Sequence, residues 1–328
     1  MVKSRLFWIE QHDYPSSVLN KVAILDKDVG NVNIVSLTHS GDFCQRITGH
    51  RGALLLFEHK DLVAITSMDE HHRIQPTERR YMLSSDSADK KGLIAWPKLI
   101  SGTLIRRYKR FLADVQLDNG DIVTAHCPNS GSMQACCQPG RPVYLSMHDN
   151  PKRKLKYTWE LIDMPTSLVG VNTQVPNRLT ACAIAAGDVA ALSGYETVRR
   201  EVKAGANSRI DMLLEAAHRR PCYVEVKNCT LVTEGLATFP DAVTVRGQKH
   251  LTELQALVAD GFRCAMFFLV QRMDATAFAP ADAIDPAYGQ KLRQAAQHGV
   301  EVLVYDVAIN LKHIRLNAPL VYDLSFLA

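Results

Sequence analysis

Short apolar runs separated by polar turns dominate the middle of the chain, from about residue 94 to residue 172. Apolar runs of four to eight residues bounded by Gly, Pro, Asn or Asp are typical of β-strands. An Asn-Gly pair flanked by aspartates at 118–121 is a hairpin signal. About five short strands in succession suit a small barrel of the oligonucleotide-binding (OB) kind. These strands are predicted at 111–117, 121–126, 141–148, 158–162 and 167–172.

The pattern changes near residue 173, where apolar residues at helical spacing begin to alternate with fully apolar runs. The former predict amphipathic helices and the latter buried strands. Such alternation indicates an α/β domain with a mixed sheet. The predicted fold class is therefore multidomain, α+β and α/β, with an OB-like barrel at 94–172 and a mixed-sheet domain at 173–328. Helices are predicted at 178–190, 248–260 and 286–297, and strands at 197–203, around Asp211, around Glu225, at 264–270 and at 300–305.

Residues 1–93 are the least regular part of the chain and stay unassigned. Short strands are predicted there at 32–37, 53–57 and 62–66. Residues 77–91 are rich in small polar and charged residues, which is typical of a linker or loop. No function is predicted for this segment.

Three charged residues of the second half are expected to meet at one point of the sheet. Asp211 precedes an apolar run, and after a polar gap a second apolar run contains Glu225 and Lys227. The two runs predict adjacent strands joined by a turn. Side chains two apart on a strand share a face, so Glu225 and Lys227 point the same way. With Asp211 opposite them, two carboxylates and an ammonium group share one small space.

Two carboxylates and a lysine in this arrangement suit phosphodiester hydrolysis. Asp211 and Glu225 can hold Mg²⁺ or Mn²⁺, and such an ion usually binds substrate phosphate as well. The ion lowers the pKa of a bound water, and Lys227 can position that water or offset transition-state charge. A solvated Glu-x-Lys pair on the surface of a strand is the open alternative.

Composition is that of an ordinary globular protein, with 328 residues of which 47% are hydrophobic and 22% charged. Eight cysteines without C-x-x-C spacing predict reduced thiols in a cytosolic protein and no zinc site. The longest apolar run, at 264–270, is far shorter than the ~20 residues that span a bilayer. The start of the chain does not resemble a secretory signal. We therefore expect a cytoplasmic protein without a membrane partner.

The net charge of +4 is too small to identify nucleic acid as the partner, but its distribution is informative. Two basic clusters lie in the predicted barrel, and cations with interleaved tyrosines attract a phosphate backbone and stack on bases. A solvated charged face is the open alternative for either cluster. The first basic cluster consists of Arg106, Arg107, Tyr108, Lys109 and Arg110, and the second contains Lys152, Arg153 and Lys154.

Two further places each have two interpretations. The loop at 129–133 is rich in small polar residues, and its backbone amides could bind a phosphate or a sugar hydroxyl. A tight turn that closes the barrel explains this loop equally well. His250 is a candidate general base, and a helix-capping or surface histidine is the alternative.

Several long motifs closely resemble the sugar fermentation stimulation protein A family of bacteria and archaea. They occur in order from about Ile94 to near the C-terminus. Members of this family typically begin close to the position of Ile94, so residues 1–93 are either an added domain or sequence upstream of the usual start. The motifs are residues 105–114, 126–133, 149–154, 201–203 with 208–211, Tyr223-Val224-Glu225-Val226-Lys227, 239–242 and 246–251.

The resemblance implies an OB-like barrel followed by a restriction-endonuclease-like domain similar to the PD-(D/E)xK nucleases. It implies DNA binding and a proposed role in regulating sugar (maltose) metabolism. By motif, Asp211, Glu225 and Lys227 are the implied catalytic positions, the two carboxylates also being the metal ligands. Glu201 matches the upstream acidic position of such nucleases, with a surface glutamate as the alternative.

Gln248 and Lys249 open the helix after the active strands. Nucleases of this type often place a substrate-facing polar residue there, so the resemblance implies nucleic-acid contact by both. An exposed helix face is the alternative.

Two functions stay open at this point. One is a Mg²⁺- or Mn²⁺-dependent nuclease that acts on DNA, with RNA as a further substrate class. The other is a non-catalytic DNA-binding regulator on the same scaffold. The oligomeric state is open as well, a homodimer included.

Overall fold

A computed structural model describes residues 92–204 and 208–325 and, before them, the backbone of six strands. The chain divides into two compact units, residues 1–84 and 85–328. In the first unit four strands form an antiparallel sheet and two form a hairpin. The predicted strands at 32–37, 53–57 and 62–66 correspond to β3, β5 and β6, and the predicted linker at 77–91 lies outside the described residues. The strands are β1 (Arg5–Phe7), β2 (Val22–Asp26), β3 (Asn31–Ser36), β4 (Cys44–Thr48), β5 (Ala53–Glu58) and β6 (Asp61–Ser67).

The second unit begins with a short strand and continues into a six-stranded sheet that closes on itself. The sheet order is β10-β9-β8-β11-β12-β13, and an additional parallel pairing joins β10 to β12. Five strands therefore form a closed barrel, and the predicted OB-like fold is confirmed. The strands are β7 (Leu93–Ala95), β8 (Leu99–Tyr108), β9 (Leu112–Leu117), β10 (Ile122–His126), β11 (Pro142–Met147), β12 (Tyr157–Met164) and β13 (Ser167–Gly170).

Alternating apolar residues fill the barrel. On β9, Ala113 and Val115 are completely buried while the residues between and after them are not. Trp159 on β12 is also completely buried, and its indole nitrogen donates to the carbonyl of Leu161 at 2.9 Å. A buried indole needs such a partner because an unpaired N–H in an apolar core is costly.

The rest of the second unit is a mixed sheet with helices on both faces, as predicted. The order β14-β15-β16-β19-β21-β22-β7 has a parallel centre, β16-β19-β21, and antiparallel flanks. A smaller four-stranded sheet has the order β17-β18-β20-β23. The elements are α1 (Val175–Ala186), a 3₁₀ turn (Ala190–Leu192), β14 (Thr197–Ala204), β15 (Ser208–Ala216), β16 (Arg219–Cys229), β17 (Leu231–Thr233), β18 (Leu236–Phe239), α2 (Val245–Ala259), β19 (Arg263–Val270), β20 (Ala277–Pro280), α3 (Pro286–Gln297), β21 (Val300–Ile309), β22 (His313–Pro319) and β23 (Val321–Tyr322).

The two faces of the sheet bury separate cores. On β19, Met266 and Phe268 pack with residues of α2 and α3, whereas Phe267 and Leu269 pack with residues of α1. A strand that is buried on both faces reads as a continuous apolar run, which explains the signal at 264–270. The result is a three-layer arrangement with the parallel strands in the middle.

Several elements differ from the prediction. Strands β17, β18, β20, β22 and β23 were not expected, and α2 begins at Val245, so Gln248 and Lys249 do not open it. Strand β8 was not expected, because only Gly102 and Leu104 of its ten residues are buried and no alternation is visible. Helix α1 begins at Val175 rather than 178, with a proline in its first turn, and it ends at Gly187, whose φ is 86°. Strand β7 pairs with β22 of the large sheet, so the segment before the barrel belongs to the sheet of the following domain.

One carboxylate joins the barrel to the mixed-sheet domain. Asp241, after β18, accepts hydrogen bonds from the backbone nitrogen of Met133 at 3.1 Å and from the hydroxyl of Ser132 at 3.2 Å. The packing is close, since a Cβ at Gly131 would lie 2.5 Å from the same carboxylate. Residues 131–133 of the barrel are therefore fixed by the second domain.

Replacing Asp241 with alanine should destabilise the protein. The change removes Oδ2, which accepts both hydrogen bonds, and leaves the backbone N–H of Met133 without its partner, which costs on the order of 1–2 kcal/mol. The thermal unfolding midpoint of Asp241→Ala is the measurement, and Asp260→Ala, an exposed carboxylate at the end of α2, is the control. Equal midpoints for the two variants would show that this contact does not stabilise the fold.

Candidate active site

The predicted strand pair positions the three charged residues as expected. Strands β15 and β16 are antiparallel neighbours, and Met212 on β15 pairs with Val224 on β16. By this register, Asp211 and Glu225 lie opposite each other on the two strands. The backbone nitrogen of Asp211 donates to Oε2 of Glu225 at 3.4 Å. Asp211, Glu225 and Lys227 thus lie together where the antiparallel flank of the sheet, β15–β16, meets its parallel centre, β16–β19.

Neutral groups surround the carboxylate of Asp211. Oδ1 accepts from the side-chain amide of Asn177 on α1 at 2.6 Å, and Oδ2 accepts from the backbone nitrogen of Val226 at 2.8 Å. Neither donor has a charge to offset that of an ionised carboxylate. The sequence did not single out Asn177, because only the fold brings the first turn of α1 to β15.

Cationic and imidazole groups surround Glu225 instead. Lys227 Nζ lies 2.6 Å from Glu225 Oε1, and His250 Nδ1 donates to the same oxygen. His250 Nε2 accepts from Arg246 Nε at 3.4 Å, an arrangement that assigns the imidazole proton to Nδ1. His250 is 7% exposed and Glu225 is 2% exposed, so the surface and helix-capping interpretations of His250 are wrong.

The two carboxylates have opposite pKa shifts. Burial raises the pKa of Asp211 to about 6, and the neighbouring charge of Glu225 adds to the rise. Burial also acts to raise the pKa of Glu225, but the hydrogen bond from His250 and the charge of Lys227 outweigh it and hold that pKa below its ordinary value. Asp211 is therefore the carboxylate whose ionised form is less well compensated.

The donor set suits a hard divalent cation. Mg²⁺ is commonly held by one or two carboxylates together with waters and substrate phosphate, and Asp211 and Glu225 supply two adjacent carboxylates. The described part of the chain contains no group of three or more His, Cys, Asp or Glu side chains that could hold a metal. A cation here would therefore rely on water or phosphate for its other ligands.

Within the described residues, none of the remaining residues predicted for catalysis or substrate contact forms a hydrogen bond or ion pair with Asp211, Glu225 or Lys227. Glu201 is an exposed residue in β14 with a φ of 54°, between residues that pair with Met212 and Ile210 of β15. Gln248 donates from its amide to Asp285 at 3.0 Å, and Lys249 lies 3.5 Å from Glu253 on the exposed face of α2. Their predicted roles in catalysis and nucleic-acid contact stay predictions.

The first basic cluster divides into paired and free cations. Arg106 forms an ion pair with Asp114 at 2.9 Å and stacks over Tyr108. Arg107 donates to the carbonyls of Asn129 and Gly131, both at 2.9 Å. Lys109 and Arg110 form the exposed turn between β8 and β9 at positive φ.

The second basic cluster is mostly exposed. Lys152 and Lys154 are exposed, and Arg153 donates to the hydroxyl of Thr158 at 2.8 Å. Two arginines of the first cluster and one of the second therefore contact other groups of the barrel, while neighbouring cations face solvent.

A cleft of about 550 Å³ lies between the barrel and the mixed-sheet domain. Its barrel wall includes Arg107, Arg110 and the loop at 129–132. Its opposite wall consists of 228–230, just after Lys227 on β16, and 238–244, the connection from β18 into α2. The cleft thus opens beside the strand and the helix that hold Glu225, Lys227 and His250.

Comparison with known proteins agrees with this architecture. The family model "SfsA N-terminal OB domain" matches residues 105–171, and "Sugar fermentation stimulation protein RE domain" matches residues 174–313. A sugar fermentation stimulation protein homolog of Geobacter sulfurreducens is 60% identical over 222 residues, which are 68% of this chain and 95% of the relative. The chain belongs to the sugar fermentation stimulation protein (SfsA) family. A second homolog, of Acidithiobacillus ferrooxidans, is 53% identical over 229 residues, which are 69% of this chain and 99% of the relative.

A solved structure shares the fold. The structure of Pyrococcus furiosus SfsA in complex with Ca²⁺ matches with a TM-score of 0.65 and 26% identity, over 70% of this chain and 98% of that one. The family resemblance seen in the sequence motifs is therefore confirmed. Among the described residues, no helix combines the length and apolar character needed to cross a bilayer.

Replacing Asp211 with asparagine should stabilise the metal-free protein above pH 6. The folded-state pKa of about 6 exceeds the ordinary value of 3.8, so ionisation of Asp211 opposes folding. The penalty is absent below about pH 4, grows as the pH rises and is complete above pH 6, where it amounts to on the order of 1–3 kcal/mol. Asparagine retains an acceptor for Val226 without the charge.

The thermal midpoint measured in EDTA across this pH range tests the assignment. Asp211→Asn should exceed the parent protein at pH 8 and lose this advantage toward pH 4. A control variant, Asp260→Asn, should show no pH-dependent difference from the parent. An advantage of Asp211→Asn that is the same at both pH values would contradict an elevated pKa.

Proposed function

We propose that this protein is a metal-dependent phosphodiester hydrolase that acts on DNA. The observation that supports this most is the cluster of Asp211, Glu225 and Lys227, in which the lysine nitrogen lies 2.6 Å from the buried Glu225 and the half-buried Asp211 lies beside them. Structural ion pairs rarely include a second buried carboxylate without a charged partner, because its desolvation is costly. A pair of carboxylates with divergent pKa values is typical of a site for chemistry.

Asp211 and Glu225 would hold Mg²⁺ or Mn²⁺, which when bound supplies an activated water and neutralises charge on the phosphate. Lys227 is positioned by Glu225 so that its ammonium group remains beside the carboxylates, where it offsets charge that develops on a phosphoryl oxygen. His250 fixes the rotamer of Glu225 by donating from Nδ1. Asn177 does the same for Asp211 from the other side of the sheet.

The solved relative supports the metal part of the proposal. The P. furiosus SfsA was determined in complex with Ca²⁺, and Ca²⁺ takes oxygen ligands of the same kind as Mg²⁺. In the described part of the chain, the half-buried Asp211 and the buried Glu225 offer such oxygens side by side. We therefore expect Ca²⁺ to bind here as a non-catalytic substitute.

A second function, a non-catalytic DNA-binding regulator of sugar (maltose) metabolism, is favoured by a different observation. Both oxygens of Asp211 accept hydrogen bonds, and Oε1 of Glu225 is shared by Lys227 and His250. A carboxylate pair with this many hydrogen-bond donors can be stable in the fold as a structural element, without a metal and without a catalytic role. The name of the curated relatives, sugar fermentation stimulation protein homolog, fits either function.

The deciding experiment measures degradation of DNA by the purified protein with Mg²⁺ or Mn²⁺. We expect cleavage by the parent protein and a loss of at least about 100-fold for Asp211→Asn and for Lys227→Met, because the first removes a proposed metal ligand and the second the cation that offsets developing charge. Lys312→Ala, an exposed lysine in the turn between β21 and β22, should cleave like the parent.

Binding in Ca²⁺ separates the two functions. All three variants should still bind DNA when Ca²⁺ replaces Mg²⁺, since the exposed cations of the barrel are unchanged in each of them. If DNA stays intact with every metal while binding is retained, the regulator is the correct function. A cleaving Asp211→Asn variant of equal rate would show that the activity belongs to a contaminant or to another site.

A further inference from the structure

We infer that the cleft between the barrel and the mixed-sheet domain binds a single nucleic-acid strand, with Arg110 and the loop at 129–132 contacting its phosphates. This inference deepens the proposed function and rests on it for the identity of the ligand. It also assigns different roles to neighbouring arginines of one sequence cluster. The size of the cleft, its charges and its position support this assignment.

The size of the cleft selects a single strand. A volume of about 550 Å³ lies in the range of pockets for small organic ligands, the size class of one or two nucleotides. A duplex, whose major groove alone is ~12 Å wide, is too large to enter. Duplex DNA would have to be unpaired, or end at the cleft, before a strand could occupy it.

The barrel wall provides the positive charge. Arg110 lines the cleft and is exposed, and within the described residues its guanidinium has neither an ion pair nor a hydrogen-bond acceptor. Arg107 also lines the cleft, but the carbonyls of Asn129 and Gly131 occupy its guanidinium. Arg110 is therefore the cation available to a phosphate, and Arg107 positions the loop beneath it.

The opposite wall contains both polar and apolar side chains. A nucleic-acid strand needs both, because its phosphates are charged and the faces of its bases are largely apolar. Asp241 is the acidic group of the lining, and its carboxylate already accepts from Ser132 and Met133. Val243 is 67% exposed at the cleft, and the half-buried Phe239 also lines it. Apolar and aromatic surface beside a cation is the arrangement on which single-stranded bases stack.

The position of the cleft connects it to the carboxylate cluster. Glu225, Lys227 and Cys229 alternate along β16 and share one face of the sheet, and Cys229 lines the cleft. The other end of the lining, Thr244, is the N-cap of α2, which holds His250 against Glu225. A strand in the cleft therefore leads toward the candidate catalytic residues.

Fluorescence anisotropy of a short labelled single-stranded DNA, and of the same sequence as a blunt duplex, tests the inference in EDTA, where no cleavage occurs. The single strand should bind at least about fivefold more tightly than the duplex. Arg110→Ala should weaken single-strand binding about fivefold or more and lower the salt slope by about one unit, as expected for one lost phosphate contact. Lys312→Ala, with the same loss of charge away from the cleft, should bind like the parent.

A matched pair of added charges provides a second test that does not depend on Arg110. Ser130 and Gln134 are both exposed and lie four residues apart, but only Ser130 lines the cleft. Ser130→Glu should weaken single-strand binding about tenfold, whereas Gln134→Glu should change it less than twofold.

The outcomes separate this inference from the proposed function. Equal effects of Ser130→Glu and Gln134→Glu, or tighter binding of the duplex, would overturn the cleft as a single-strand site even if Mg²⁺-dependent cleavage is observed. Cleft-dependent binding in EDTA without cleavage in Mg²⁺ would support the inference and reject hydrolysis. Absence of binding to either form of DNA in EDTA would overturn the inference, whereas the proposed hydrolysis is decided by cleavage in Mg²⁺.

Discussion

The structure of the candidate site depends on one constraint: two carboxylates lie next to each other in a sheet, Glu225 buried and Asp211 half-buried. Desolvation disfavours both charges, and their proximity makes simultaneous ionisation costlier still. The protein compensates Glu225 more than Asp211, since Lys227 and His250 both contact Glu225. Asp211 has neutral donors and a raised pKa. The pair therefore has an unmet requirement for positive charge, which a divalent cation would satisfy.

This constraint explains why elements from both faces of the sheet meet at the site. Strands β15 and β16 place the carboxylates, α1 contributes Asn177 and α2 contributes His250. The start of α2 is in turn fixed by α3, because Asp285, the N-cap of α3, accepts from the backbone of Thr244 and from the amide of Gln248. Gln248 thus connects two helix starts, and displacement of α3 would move His250 relative to Glu225.

The sequence predicted the fold class and the central charges because both have strong local signatures. Fully apolar runs indicated the buried strands, and the Glu-x-Lys spacing on one strand face indicated Glu225 and Lys227. The sequence could not predict the contact of Asn177 with Asp211, nor which arginines of the first basic cluster are already engaged. Both depend on contacts between residues distant in the chain. Strand β8 was missed because exposed cations replace the expected alternation over its second half. His250 was found as a candidate, but its burial against Glu225 required the packing of α2.

The first basic cluster shows why cation density in a sequence is an incomplete guide to a binding surface. Arg106 and Arg107 are adjacent in sequence, yet one is paired with Asp114 and the other with loop carbonyls. Their charges still contribute to the local potential, but their guanidinium donors are already engaged, so a phosphate would have to displace an existing bond. Within the described residues, the side chains of Lys109 and Arg110 have no ion pair or hydrogen-bond acceptor that a phosphate would have to displace. Their left-handed backbone forms the turn at the end of the paired strands β8 and β9. A phosphate that binds an exposed cation without an existing partner does not have to break a hydrogen bond or ion pair first. We therefore expect the strongest phosphate contact of this barrel at the turn and not along β8.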